Sequence, residues 1–115
     1  MNQKNNRHSF EEYAYISDLV AFYGNILDIR SREMMKRYYF DNASYEEIAR
    51  DHHISRQRVH QIISQHRDIL REWESTLHFL EFIEQIRQLM LKYRDQSPAL
   101  VKDLEKLLEK TTRGV

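Results

Sequence analysis

The chain has 115 residues, the size of one domain with an appended helical segment at most, which excludes a two-domain enzyme. Eighteen Lys and Arg balance eighteen Asp and Glu, so no bulk charge draws the molecule to nucleic acid or to an anionic membrane, and any polyanion site must be local. Cysteine is absent, which excludes a disulfide scaffold, a Cys-based metal centre and a thiol nucleophile, and fits a reducing, cytoplasmic setting.

Hydrophobic residues make up 41% of the chain, seven Tyr, five Phe and one Trp among them, enough to build a core. Two glycines, one proline and no β-type alternation predict an all-α protein. No apolar run approaches the roughly 20 residues that span a bilayer, and residues 1–9 are polar, so neither membrane insertion nor export is expected. Ser9 with Glu12 reads as a capping box opening a helix that runs to about Tyr23, with Tyr13, Ile16, Leu19, Val20 and Tyr23 on one face. Asp28 caps a second helix over residues 29–40, whose apolar side is Met34, Met35, Tyr38 and Tyr39. Ser44 with Glu47 is another capping box, starting a helix of barely two turns that buries Tyr45, Ile48 and Ala49.

Ser55 caps a further helix. From Val59 through Leu80 the apolar residues keep a helical period, which Ile83, Ile86, Met90 and Tyr93 can continue; Ser75 and Thr76 offer a restart, so one helix or two are both open over residues 56–93. Ser97-Pro98 marks the start of a last helix with Leu100, Val101, Leu104, Leu107 and Leu108 as its stripe, fraying over residues 111–115. The domain organisation is then a helical head over residues 9–70 and a C-terminal arm over residues 71–110. Trp73, Phe79, Phe82, Ile83, Ile86 and Met90 make an apolar surface larger than the head needs. Either the last helix folds back on it or two chains pair along it, and the reading leans to the homodimer, which would set two copies of the head on one duplex.

Residues 44–64, SYEEIARDHHISRQRVHQIIS, follow helix-turn-helix grammar: a small residue, Ala49, where two helices approach, Ile54 plugging the turn, and Val59 and Ile62 holding the second helix to the body. The turn position that often carries glycine for a positive φ is His53, and His52 sits where a larger apolar residue usually packs. The outward face of the second helix then carries Arg56, Gln57, His60, Gln61 and Ser64, with Arg58 and Arg67 to the sides. From His52 to Arg67 there are three arginines, four histidines and no acidic residue. A helix N-terminus offers amides and a positive dipole end to phosphate, while Arg and Gln match guanine and adenine edges in a major groove. The candidate nucleic-acid-binding residues are Ser55, Arg56, Gln57, Arg58, His60, Gln61, Ser64 and Arg67, with duplex DNA the expected ligand and RNA the alternative.

Other chemistry is weaker. His52 and His53 are adjacent and His60 and His66 six apart, so neither pair has the i, i+4 spacing that converges on zinc, and no metal or cofactor is expected. The chain has no glycine-rich phosphate loop, no G-x-S-x-G and no H-E-x-x-H, so no enzyme activity is expected. Glu46, Glu47 and Asp51 have structural or solvated duties. Tyr38, Tyr39, Phe40 and Tyr45 have the spacing of core residues, not of a base-stacking platform.

The stretch at residues 29–63, with Arg30, Arg32 and Glu33, the EEIA of residues 46–49 and the ISRQRVHQI of residues 54–62, resembles the fourth conserved region of bacterial sigma factors. More of the chain, about residues 13–80, resembles the YlxM family of the same fold: the DLVAFYGNILD of residues 18–28, the paired tyrosines before Phe40 and Asp41, the ISRQ turn, and Leu70, Glu72, Trp73, Glu74, Leu77 and His78. The resemblance implies a bacterial accessory or regulator of the signal recognition particle pathway. Arg58, His60 and Gln61 look more like the sigma-type reader than like the family's less basic helix, which points towards DNA. A complete sigma factor is not expected, for want of room for a promoter-melting module. The expectation is thus a non-enzymatic nucleic-acid-binding regulator; a sigma-like transcription regulator and a pure protein adaptor on the particle are the alternatives.

Overall fold

The structure, a computed structural model, describes the backbone of residues 3–112 and the side chains of residues 10–111. Among these residues the chain forms six α-helices and no strand: α1 (Gln3–Tyr23), α2 (Ile29–Tyr39), α3 (Tyr45–His52), α4 (Arg56–Leu77), α5 (Phe79–Tyr93) and α6 (Pro98–Thr112), with a 3₁₀ turn at Gly24–Ile26 between the first two. Three of the caps read from the sequence recur. The Asp28 carboxylate accepts from the Ser31 amide at 3.0 Å, and hydrogen bonds from the Ser31 hydroxyl, first, and from that amide hold its pKa below the ordinary carboxylate range. Ser44 and Glu47 close a reciprocal capping box, and Ser55 accepts from the Arg58 amide at 3.0 Å, each satisfying an amide that the helix itself cannot.

Helices α1 to α4 enclose one core. Ile16, Leu19, Val20 and Tyr23 of α1, Met34, Met35 and Tyr39 of α2, Ile48 and Ala49 of α3, and Val59, Ile62, Ile63 and Leu70 of α4 are all buried. Their spacing of three and four on each helix is why four amphipathic segments meet on one axis. The Tyr13 hydroxyl donates to the Tyr38 carbonyl at 2.8 Å, occupying a C-terminal carbonyl of α2 that has no helical partner. Arg37 of α2 donates to Asp51 of α3 at 2.7 Å.

Four expectations change. Helix α1 begins at Gln3, so Ser9 lies inside it and not at its cap position; the Ser9 side chain is outside the described residues, and Glu12 pairs with Arg71 of α4. Phe40, expected in the core, is 47% exposed, because it follows the last residue of α2 and sits where the chain turns away. The final helix stays regular through Thr112, beyond the expected fraying point; residues 113–115 lie outside the described residues. The long stretch over residues 56–93 is two helices, and the break falls at His78, not at Ser75 or Thr76.

His78 takes φ 55° and ψ 26°, a left-handed conformation that ends α4 and starts α5. It offers no side-chain cap to α5. Glu74, one turn back in α4 and 7% exposed, supplies it: its carboxylate accepts from the Leu80 amide at 2.9 Å, the Glu81 amide at 3.0 Å and the Tyr23 hydroxyl at 2.7 Å. Burial alone would raise the Glu74 pKa, but the Tyr23 hydroxyl and the two amides outweigh it and hold the carboxyl below its ordinary value. Burial and the bond to Glu74 push the Tyr23 phenol well above its ordinary value.

Beyond this clasp α6 folds back on α5, the first of the two arrangements open from the sequence, and Ile83, Met90 and Val101 are buried there. Arg94 and Glu105 pair across the hairpin at 2.7 Å. The hairpin projects from the head: the radius of gyration is 17.2 Å, where a compact chain of this length has about 13 Å.

Candidate nucleic-acid interface

The turn between α3 and α4 aims the second helix. His53 adopts φ 56° and ψ 43°, the left-handed position anticipated for it, and the Ile54 amide donates to the Ala49 carbonyl at 3.1 Å. That backward bond closes the end of α3 as glycine-type caps do, with histidine in place of glycine. Ile54 packs against the core, and Val59, Ile62 and Ile63, all buried, anchor the inner side of α4.

The opposite side is therefore outward. Ser55, Arg56, Gln57, Arg58, His60 and Gln61 are all exposed. The Ser55 hydroxyl occupies the Arg58 amide, and by helix geometry the Arg56 and Gln57 amides of the same turn have no partner within the helix. Arg58 reaches the Gln61 side-chain oxygen at 3.4 Å, along the helix surface. Ser64 and Arg67 differ: both are half-buried, the Arg67 guanidinium donates to the Ser64 hydroxyl at 3.1 Å and meets the Tyr39 hydroxyl at 3.5 Å. Six of the eight candidates thus share one free edge, and the other two are tied to each other at its base.

Three acidic neighbours are engaged away from the edge, while Glu46, beside Tyr45 in the sequence, is exposed. Asp51 is committed to Arg37 and Glu47 to the Ser44 capping box. Asp28 lies 3.8 Å from His66, at the far side of α4. Among the described residues no group of three or more His, Asp or Glu could hold a metal ion, and no helix is long and apolar enough to cross a membrane.

Tyr45 belongs to this edge, which periodicity did not show. Its ring stacks on Tyr38 at 5.0 Å with an 18° tilt, meets His60 edge-on at 5.3 Å, and lies under the Arg56 guanidinium at 5.8 Å. Burial, and then its hydrogen bond to Tyr38, push its phenol up to about 12, so it is a neutral ring at any physiological pH. The contact crosses the turn from the first residue of α3 to the first of α4, and no local pattern encodes such a pairing.

The sequence pattern of the family described as "Putative helix-turn-helix protein, YlxM / p13 like" matches residues 10–111. Curated relatives include UPF0122 protein YlxM of Bacillus subtilis (strain 168), 28% identical over 108 residues that cover 86% of this chain and 98% of that protein. A UPF0122 protein of Shouchella clausii is 37% identical over 76 residues, 66% of this chain and 70% of the relative. One of Malacoplasma penetrans is 33% identical over 69 residues, 60% of this chain and 64% of the relative. No solved structure matches the chain. With the match running from the first helix through the arm, the chain belongs to the YlxM/p13-like family of helix-turn-helix proteins.

Proposed function

We propose that the protein is a non-enzymatic, cytoplasmic regulator that binds nucleic acid, duplex DNA first, through the opening turns of α4. The observation that carries this reading is the acid-free edge: six hydrogen-bonding side chains, exposed together, on a helix start whose inner side is locked into the core. Arg56, Gln57, His60 and Gln61 read base edges, and Ser55 and Arg58 position the helix on phosphate. Ser64 and Arg67 support the base of the edge, Arg67 adding its charge without leaving its Ser64 partner. Membership of the family, through the implied link of YlxM proteins to the signal recognition particle, extends the proposal to an accessory role in that pathway. Two heads on one duplex, through a homodimer of the arms, fit the apolar surface that α6 leaves uncovered; equilibrium sedimentation reads the oligomer.

The test is salt. Binding of a duplex should weaken with a log–log slope of about 0.9 per phosphate neutralised, and Arg58→Ala should shallow that slope by roughly one contact. Absent or salt-insensitive binding refutes the reading. A second reading, a protein adaptor on the particle, is favoured by one observation: an apolar groove of about 400 Å³ where head and arm meet, lined by Phe22, Ile26, Leu77, Phe79, Phe82 and Leu107. Co-purification of the particle's GTPase without duplex binding would select it.

A further inference from the structure

The two arginines at the start of α4 are not equivalent in their surroundings. Arg58 lies along the exposed helix surface, its guanidinium meeting the Gln61 side-chain oxygen at 3.4 Å. Arg56 is seated on the Tyr45 ring, and that ring ends an aromatic chain anchored in the core. Tyr13 of α1 packs on Tyr39 of α2 at 5.0 Å, Tyr39 on Tyr38 at 4.8 Å, Tyr38 on Tyr45 of α3 at 5.0 Å, and Tyr45 on His60 of α4 at 5.3 Å. Tyr39 is buried and the Tyr13 hydroxyl is bonded to the Tyr38 carbonyl, so the lower rungs are fixed. A planar guanidinium over a fixed ring loses less freedom when it makes a two-bond contact to a base than one waving in water does.

We infer that Tyr45 is a positioning residue of the reading edge: its ring holds Arg56, and with it His60, in the orientation that reads sequence, while Arg58 supplies charge alone. The inference rests on the α4 reading proposed above. It divides the work of the edge between an arginine held on a ring, which reads sequence, and an exposed arginine along the helix surface, which seeks phosphate.

The experiment compares Tyr45→Phe, Tyr45→Leu, Arg56→Ala, Arg58→Ala and the Tyr45→Leu/Arg56→Ala double variant of the full chain. Each is titrated with a duplex enriched from a randomised pool and with an unselected duplex. Tyr45→Phe should bind as the wild type does. Tyr45→Leu should lose about three- to tenfold in affinity for the enriched duplex and stay within about twofold on the unselected one, and adding Arg56→Ala to it should cost little more. Arg58→Ala should weaken both duplexes alike. A merely structural role would lower both affinities together, and independent, multiplying effects of Tyr45→Leu and Arg56→Ala would overturn the inference.

A readout without nucleic acid separates this inference from the one beneath it. In the free chain the Arg56 side-chain protons should show an upfield ring-current displacement by nuclear magnetic resonance, lost in Tyr45→Leu and kept in Tyr45→Phe. If the wild type binds no duplex but the displacement is present and Tyr45-dependent, the nucleic-acid reading falls and the seating of Arg56 stands. If duplex binds and no displacement is seen, the positioning role of Tyr45 falls alone. Should Tyr45→Leu fail to fold, the wild-type displacement still decides the seating, and Arg56→Gln must lose preference for the enriched duplex.

Discussion

Replacing Glu74 by glutamine should destabilise the protein more than any single surface change, because one carboxylate does the work of a helix cap and of a bond between α1 and α4. It accepts from the Tyr23 hydroxyl and the Leu80 amide through one oxygen and from the Glu81 amide through the other. A glutamine carries one oxygen. Placed where two donors converge, it leaves its NH₂ facing the Glu81 amide, donor against donor. One charge-assisted bond is lost, at about 1.5–3 kcal/mol, and the remaining two lose the charge that strengthened them, for a total of about 2–4 kcal/mol. For a domain of this size that is a fall of roughly 8–16 °C in melting temperature, read by far-UV circular dichroism.

The pH dependence gives a second check. The Glu74 carboxyl titrates below its ordinary 4.5 in the folded chain, so its contribution is fully present above that value and is lost as pH falls through the lower, folded-state pKa. The stability gap between wild type and Glu74→Gln should be constant near neutrality and narrow below about 4.5. A variant within about 0.5 kcal/mol of wild type, or a gap unchanged into acid, would refute the clasp as described. Tyr23→Phe removes one of the three donors and should cost about 1.5–3 kcal/mol by itself, less when Glu74 is already glutamine.

Four further outcomes are expected. His78→Gly relieves a non-glycine residue at φ 55° and should stabilise the chain by about 0.5–1 kcal/mol, the left-handed penalty less the added freedom of the unfolded state; a lower melting temperature would contradict this. Ser55→Ala removes the cap of α4 and should cost about 1 kcal/mol in urea unfolding; an unchanged midpoint would contradict the cap. Leu70→Ala opens a cavity at a fully buried site of α4 and should cost about 2–5 kcal/mol, whereas Arg37→Ala, breaking an exposed ion pair with Asp51, should cost under about 1 kcal/mol.

The helix starts at residues 29, 45 and 56 were legible because a cap is a local transaction: a short oxygen-bearing side chain reaches an amide three residues on; the start at residue 98 was legible from proline at the first helical position. What was not legible involves partners far along the chain. Ser75 looked like a restart, yet its hydroxyl donates to the Glu72 carbonyl at 2.8 Å, a backward bond that keeps serine inside a helix. The actual break at His78 depends on a carboxylate from the preceding helix and a phenol 51 residues away in sequence, and no window of sequence displays that. Tyr45 was assigned to the core from its spacing, and it is half-buried there; its other half faces Arg56 and His60 because the turn folds the start of α3 beside the start of α4. Six edge residues were found correctly exposed because binary patterning fixes the outward face once the inner one is known.

Among the described residues no corner uses a glycine at positive φ. Gly24, the one glycine among the described residues, has no positive φ, while Asn42, His53 and His78 take φ of 56°, 56° and 55°. Each such residue costs free energy that the surroundings must supply, and at both histidine corners the supply is visible: Ile54 packing and the Ala49 bond at one, the Glu74 clasp at the other. These two corners bound α4, a rod of 22 residues and about 33 Å, with the candidate edge in its first two turns and the clasp in its last. Val59, Ile63 and Leu70 fix the rod to the core between them. The arm therefore cannot turn the candidate edge by rotating α4 unless that packing opens, and on the proposed reading any influence of the arm on binding must act by adding a partner or a second head.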